Sequence, residues 1–427
     1  MVVGARIQCT NVPALFDETG NECDVASNNI GNYEKKTYKS DNSDVTQGIE
    51  NRLDHVFVWP HSLSDESTGN QVRDLPKTSN EINADIRREG NVLIRVITWN
   101  HQAKDPPSSD DLIKWLVPRN KYHIIAFGSQ ECENSIAKSI IVPTKERWEA
   151  MLNLAVGPDY DIVCSHSLQA SHNMVFVHKA IVHLISNIKS AAIPTGFGDL
   201  LGNKGGIGVS FLLGKKSFCF INAHLAAHQY AIERRTYEFQ RISSGVAESF
   251  IRKKENNSPG IDSSESTSNS TFCLANEFDF VFWYGDLNFR VNGTREVVDG
   301  LLAQNMHEVL VNNDQLTFLM KFNSCFRGLA EGPINFRPTY KFDYESDIYD
   351  TSKKKRIPSW TDRILFKNGE LVDLITYSSR DEIRTSDHRP VYASFRVKLP
   401  SACCISQNGT VQPFLNAKPI SQICSIS

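Results

Sequence analysis

Residues 278–290 read FDFVFWYGDLNFR, an apolar run that stops at Gly285 and hands over to Asp286 and Asn288. A stretch dense in Phe, Val, Trp and Tyr, without Pro and without helical spacing, predicts a strand over 278–284 that is buried on both faces. A buried strand ending in a carboxylate and an amide delivers those groups where the sheet meets solvent. The pattern recurs along the chain. VLIRVITWN (92–100) ends on Asn100, HIIAFGS (123–129) runs into Gln130 and Glu131, and SFCFINAHL (217–225) carries His224 near its end. SDHRP (386–390) sets Asp387 and His388 ahead of a strand at 391–399. Further strands are expected at 173–178, 205–213, 363–367 and 371–377. An amphipathic stretch is expected at 110–116, with helices at 230–253, 296–304 and 306–322. Many strands, few helices and no strict alternation imply a layered α/β fold.

The rest of the chain frames this region. Residues 1–90 are polar and weakly periodic, which predicts a largely disordered extension with a docking segment at 56–60 (VFVWP). Residues 255–275 begin with a Ser/Asn-rich run and read as a flexible insertion, and 400–427 read as a loop-like tail. The 46 basic and 49 acidic residues leave a net charge of -3, which argues against general nucleic-acid affinity. Ten cysteines without a CxxC pair read as reduced thiols of a cytosolic-type protein. Neither a signal peptide nor an apolar run of about 20 residues is visible, so a soluble body is expected. The glycosylation triplets at Asn256, Asn269, Asn292 and Asn408 are then expected to go unused.

Taken singly, each strand-end residue has a plainer explanation as a turn former or a satisfied polar group. Five such positions together point to one site, and their chemistry is that of metal-assisted hydrolysis of a phosphate ester. Mg²⁺ prefers hard oxygen ligands and keeps several waters, so Glu131 and Asn100 suffice to hold it. Asp286 is placed to act as general base on water. Asn288, two residues on in an extended segment, is placed to hold that water or a phosphoryl oxygen. His388 would stabilise charge on the transferred group, with Asp362 (in PSWTDRIL) fixing its tautomer and Asp387 lying near the metal.

The ordered set GNKGGIGVSF (202–211), INAHLAAHQ (221–229), WYGDLNFRV (283–291), FRPTYKFD (336–343), RIPSWTDRILFK (356–367) and TSDHRPVYASF (385–395) resembles the inositol polyphosphate 5-phosphatase family. That family sits with the DNase I-like endonucleases and sphingomyelinases. The resemblance spans about 92–399 and implies a four-layered α/β sandwich around two mixed sheets, with 91–399 as the catalytic domain. It implies the same roles for Asn100, Glu131, Asp286, Asn288, His388 and Asp362. It further implies that Tyr340, Lys341, Lys354 and Arg356 hold the 4-phosphate of the substrate, and that Asn203 and Lys204 meet the 1-phosphate. Two departures stand out: Phe342 replaces a frequent Tyr, and Gly128-Ser129 replace a frequent aromatic before Gln130-Glu131. The activity implied is Mg²⁺-dependent removal of the 5-phosphate from phosphatidylinositol 4,5-bisphosphate or 3,4,5-trisphosphate. The alternatives are action on soluble inositol polyphosphates, a DNase-like nuclease, or a non-catalytic membrane-bound interaction protein.

The chain ends Cys424-Ser425-Ile426-Ser427, a pattern that fits farnesylation of Cys424. One prenyl chain binds membrane marginally, so a second contact is expected, from acylation at Cys403 or Cys404 or from the lipid substrate. Together these predict a cytoplasmic protein peripheral on the cytosolic face of membranes. Prenylated relatives of the lipid-type branch include a ciliary enzyme, which extends the expectation to cilium or Golgi.

Overall fold

In the computed structural model, the residues described are 90–104, 107–117, 122–132, 146–196, 204–251 and 273–399. Their strands are β1 (Asn91–Asn100), β2 (Ile124–Gln130), β3 (Tyr160–Leu168), β4 (Ser171–His178), β5 (Ile185–Pro194) and β6 (Gly205–Leu213). They continue with β7 (Lys216–His224), β8 (Phe280–Asp286), β9 (Leu329–Glu331), β10 (Asp362–Lys367), β11 (Val372–Ser379) and β12 (Val391–Lys398). The helices are α1 (Ser109–Trp115), α2 (Glu146–Val156), α3 (Lys179–Val182), α4 (Ile232–Phe250), α5 (Arg295–Ala303), α6 (His307–Asn312) and α7 (Gln315–Lys321).

The strands form two six-stranded sheets, β11-β12-β1-β2-β4-β3 and β5-β6-β7-β8-β10-β9. Each is mixed. β1 pairs in parallel with β2, and β7 with β8, while the other pairings are antiparallel. Side-chain alternation on the central strands explains the layering. On β8, Phe280, Phe282 and Tyr284 join Ile94 and Val96 of β1 in a core between the sheets. Val281 and Trp283 face the other way, against Ile242, Val246 and Phe250 of α4. On β1, Ile97 and Trp99 turn outward onto Leu112 of α1 and Trp148 and Leu152 of α2. Helices, sheet, sheet and helices are thus four layers, the DNase I-like arrangement expected. Strands buried on both faces need apolar residues at consecutive positions, which is why they were readable as continuous runs.

At one end the inter-sheet core turns polar. Tyr284 donates its hydroxyl to Asn173 Oδ1 at 2.6 Å, and Gln130 Nε2 donates to Asn222 Oδ1 at 2.6 Å. Asn222 Nδ2 in turn reaches the carbonyls of Ser129 and His172. These bonds stitch the two sheets together directly behind the strand ends that carry the site.

Several expectations need correction. The single helix over 306–322 is two, α6 and α7, broken at Asn313-Asp314, where Asp314 caps α7 by accepting from Thr317 N at 3.0 Å. Asp314 is also fully buried against Arg363 at 2.8 Å, so the break is fixed by an ion pair 49 residues away in sequence. β3 and β5 were not anticipated because Ser, Asn, His and Lys dilute their apolar pattern, and β5 lies at a sheet edge. α2 and the short β9 were not anticipated either. Of the insertion over 255–275, residues 255–272 lie outside the described residues, as do the extension 1–89 and the tail 400–427. Cys219, Cys273 and Cys325 are free thiols, and no described helix is long and apolar enough to cross a membrane.

Candidate active site

Strand register gathers the polar ends at one edge. The parallel pair β7–β8 sets His224 opposite Asp286, and antiparallel β10 sets its first residue, Asp362, opposite Asp286 on the other side. In the other sheet, Asn100 pairs with Gln130 across β1–β2, and β12, antiparallel to β1, starts at Val391 opposite Thr98. The chain entering β12 therefore brings Asp387 and His388 to the end of β1, where Ser386 Oγ donates to the carbonyl of Asn100 at 2.7 Å. Period-two alternation aims Thr98 and Asn100, His224, Asp286 and Asp362 into the gap between the sheets.

Asp286 is 2% exposed and its oxygens are surrounded by donors. Asn100 Nδ2 donates to Oδ2 at 2.9 Å, the backbone N–H of Asn288 donates to Oδ1 at 3.2 Å, and His224 Nε2 lies 3.3 Å from Oδ2. Burial opposes its charge, but the hydrogen bond and charge of His224, helped by His388 and Lys204, outweigh burial and hold the carboxyl far below the usual carboxylate range. It is an anion at neutral pH.

His388 is its counterpart. Nδ1 lies 2.9 Å from Asp362 Oδ2, the His388 backbone N–H donates to Ser386 Oγ, and Trp99 Nε1 donates to the His388 carbonyl at 3.2 Å. Burial would lower its pKa, but the charge and hydrogen bond of Asp362, with Asp387 and Asp286, push it up to about 9. The imidazole is charged at neutral pH. Asp286, Asp362 and His388 each offer a ligand atom within 4.8 Å of the others. Within that group, His388 Nδ1 and Asp362 Oδ2 lie at hydrogen-bond distance, 2.9 Å.

Glu131 stands at the end of β2 in a left-handed conformation (φ 51°), its carboxylate part-exposed and 3.8 Å from His224 Nε2. Asn100 Oδ1 accepts from Gln102 N at 2.9 Å and keeps a second lone pair. A carboxylate and an amide oxygen at one rim fit a hard divalent cation. Lys204 Nζ contacts His224 Nε2. Burial depresses its pKa, against the pull of Asp286, Glu131 and Glu238. Asn203 lies outside the described residues.

Asn288 departs from the extended geometry expected for it. Its φ is 57°, its Nδ2 donates to Leu225 O at 3.0 Å, and its Oδ1 accepts from Arg290. The strand has ended, and the side chain braces the loop while its backbone N–H meets Asp286. Beyond these lie the basic residues. Lys341 Nζ is 3.0 Å from Asp387 Oδ2, and Tyr340 packs its ring on His388 with centroids 4.5 Å apart. Lys354 is exposed and Arg356 half-buried on a turn that Asp350 ties to Lys341, accepting from Arg356 N at 2.7 Å while its own N–H donates to Lys341 O at 2.8 Å.

A family model described as Endonuclease/Exonuclease/phosphatase family 2 matches residues 97–394. Human phosphatidylinositol polyphosphate 5-phosphatase type IV is 32% identical over 317 residues, 72% of this chain and 46% of that protein. Type IV inositol polyphosphate 5-phosphatase 11 of Arabidopsis thaliana is 29% identical, over 75% of this chain and 88% of its own length. The crystal structure of the inositol polyphosphate 5-phosphatase domain of SPsynaptojanin, with inositol (1,4)-bisphosphate and calcium ion, superposes with a TM-score of 0.59 at 32% identity, covering 75% of this chain and 90% of that one. The chain belongs to the inositol polyphosphate 5-phosphatase family. It spans less than half the length of the human relative.

As a member of the 5-phosphatase family, the chain has two sequence departures that its structure explains. A Cβ on Gly128 would lie 2.6 Å from Tyr284 and 2.7 Å from Asn222, the side chains that stitch the sheets, so nothing larger fits there in this chain. Phe342 replaces a phenol with packing: it stacks on Tyr349 at 4.4 Å and lies beneath the Arg389 guanidinium at 3.9 Å. Two contributors to this 5-phosphatase-family site were not anticipated from sequence: Arg290 grips Asn288 and lies 4.5 Å over the Tyr340 ring, and Ser386 joins the two strand ends. Lys204, expected at the 1-phosphate, reaches His224. A signal existed only for Arg290, a charge inside the otherwise apolar LNFRV run.

Proposed function

We propose that residues 91–399 are a catalytic domain that removes the 5-phosphate from phosphoinositides such as phosphatidylinositol 4,5-bisphosphate and 3,4,5-trisphosphate. The observation that carries this reading is a buried anion, Asp286, facing a buried imidazolium, His388, at a rim lined by Glu131, Asn100 and Lys341. Water hydrogen-bonded to Asp286 attacks phosphorus, the bond from phosphorus to the inositol 5-oxygen breaks, and the proton the water gives up is balanced by the one the 5-oxygen takes from solvent to leave as a hydroxyl. Phosphoryl transfer is dominated by positioning and charge stabilisation. A weakly basic but fixed carboxylate therefore serves it by orienting the water. His388, already protonated, stabilises charge on the transferring group. Glu131 and Asn100 would hold Mg²⁺, which supplies Lewis-acid polarisation of the phosphoryl group when bound.

Tyr340, Lys341, Lys354 and Arg356 are proposed to bind the 4-phosphate, and Asn203 and Lys204 the 1-phosphate. The bound ligand of the SPsynaptojanin domain, inositol (1,4)-bisphosphate, keeps phosphates at those two positions and none at position 5. Preference for lipid over soluble substrate rests on the Cys424 box and on the similarity to human phosphatidylinositol polyphosphate 5-phosphatase type IV. With Cys424 farnesylated, the protein would work on the cytosolic face of membranes.

The deciding experiment is phosphate release by the purified chain over inositol lipids in vesicles, soluble inositol phosphates and plasmid DNA, with Mg²⁺ or EDTA. The expected result is EDTA-sensitive release from lipids carrying a 5-phosphate and none after Asp286→Ala. Faster turnover of soluble inositol phosphates would favour the soluble-substrate reading. Nicking of DNA with no phosphate release would favour the nuclease.

A further inference from the structure

The carboxylate that orients His388 is held in an asymmetric way. Asp362 is fully buried, and its Oδ1 finds no hydrogen-bond partner among the described residues. All its bonds converge on Oδ2: His388 Nδ1 at 2.9 Å, Thr361 Oγ1 at 2.9 Å and Thr339 Oγ1 at 2.8 Å. Thr361 is its immediate neighbour in sequence, so Thr339 is the long-range anchor besides His388 itself. An acceptor-only carboxylate forces every partner to be a donor, which also places the imidazole proton on Nδ1.

A buried threonine bonds to something in any fold, so its satisfaction alone means little. What matters is where Thr339 sits. It opens the segment Tyr340-Lys341, the pair proposed above for the 4-phosphate, and that segment is laced to the residues on either side of His388 and to Asp362. The Thr339 carbonyl accepts from Arg389 N at 2.9 Å, Tyr340 exchanges backbone bonds with Ser359, and Phe342 N donates to Asp387 O at 2.9 Å. Tyr340 packs against the His388 ring, and Lys341 bonds Asp387. A rigid strip thus runs from the 4-phosphate readers to the atom that holds the imidazole.

We infer that Thr339 is a positioning residue that locks Asp362 onto His388 and couples 4-phosphate engagement to turnover. The coupling rests on the 5-phosphatase reading given above; the locking does not. A substrate contact at Tyr340-Lys341 stiffens the strip that carries Thr339, so the 4-phosphate raises kcat as well as lowering KM. Removing the hydroxyl uncouples the two.

Thr339→Val preserves shape and removes the donor, and Thr339→Ser restores it. In the full chain with ¹⁵N-labelled histidine, the Nδ1 proton of His388 is assigned by its loss in His388→Asn. Its exchange with solvent should quicken about tenfold in Thr339→Val and return toward the wild-type rate in Thr339→Ser, the scale expected for one hydrogen bond to a charged group. An unchanged exchange rate in a folded Thr339→Val protein overturns the inference, whatever the enzyme's substrate. For turnover, kcat and KM are measured on soluble inositol phosphates with a 5-phosphate, with and without a 4-phosphate. Thr339→Val should lower kcat about tenfold on the 4-phosphorylated substrate, and narrow the kcat ratio between the two. Equal kcat ratios in wild type and variant refute the coupling. No turnover of any inositol phosphate by the wild type defeats the 5-phosphatase reading, and the proton exchange still judges Thr339.

Discussion

Replacing Asp362 with Asn tests the central electrostatic claim, that a buried carboxylate keeps His388 charged at the pH of catalysis. Asn fits the same space, and Thr339 and Thr361 can still donate to its amide oxygen. The negative charge 2.9 Å from Nδ1 disappears. With it goes the main force lifting the imidazole from 6.5 to about 9, and burial, which acts in the opposite direction, is left against only the weaker pull of Asp387 and Asp286. At pH of about 7.5 the wild-type ring is roughly 97% protonated; a ring returned to its ordinary pKa or below is at most about 10% protonated. Loss of the cation alone therefore predicts at least about a tenfold fall in kcat, before any cost of misorientation. The assay is phosphate release at saturating substrate across pH of about 5.5–9.5. The wild type should lose activity as pH rises through about 9, and Asp362→Asn should lose its residual activity near or below pH of about 6.5. Stability follows the same sign. Because the folded-state pKa is raised, the stabilisation is complete below the unfolded value of about 6.5 and is lost as pH rises through about 9. The wild-type melting temperature should fall across that window, and that of the variant should not. An alkaline limb still near 9 in Asp362→Asn, or a kcat within threefold of wild type, refutes the reasoning.

Glu131→Gln keeps size and removes charge from the proposed Mg²⁺ ligand, and should raise the Mg²⁺ concentration for half-maximal activity roughly tenfold or more with the fold intact; an unchanged titration removes Glu131 from the metal. Lys341→Ala should raise KM for substrates with a 4-phosphate much more than for those without it, and equal effects on both would deny the contact. Gly285 sits at φ 143° with its would-be Cβ 1.8 Å from the carbonyl oxygen of Ala223 on β7, so Gly285→Ala should cost about 3 kcal/mol or more, read by chemical denaturation. A native-like denaturation midpoint would mean that the β7–β8 register is not as described.

The most legible part of the fold was the part buried on both faces, although the half-exposed edge strand β11 was also anticipated. β6 matches its expected bounds, and β1, β7, β8, β10 and β12 lie within a few residues of theirs, because a strand between two apolar layers must be apolar at consecutive positions. β3 and β5 are half-exposed, their polar residues are permitted by solvent, and the pattern vanished. The break between α6 and α7 was hidden for a different reason. Asp314 does two jobs, capping one helix and pairing with Arg363, and the second partner is remote in sequence.

The same division runs through the site. Sequence alone determined which residue types stand at the ends of which strands, and so determined the chemistry proposed for them: one carboxylate and one amide for a cation, an aspartate for water, a histidine for phosphoryl charge. Those properties belong to side chains and to the two-residue period of a strand, both local. Only the tertiary structure decided which groups are charged and which are braces. Asp286 is an anion because His224 and Asn100 arrive from two different sheets, His388 is a cation because Asp362 lies across β8 from His224, and Asn288 is a brace because Arg290 and Leu225 claim its amide. Charge state depends on distances in space between groups tens to hundreds of residues apart, and strand register sets those distances.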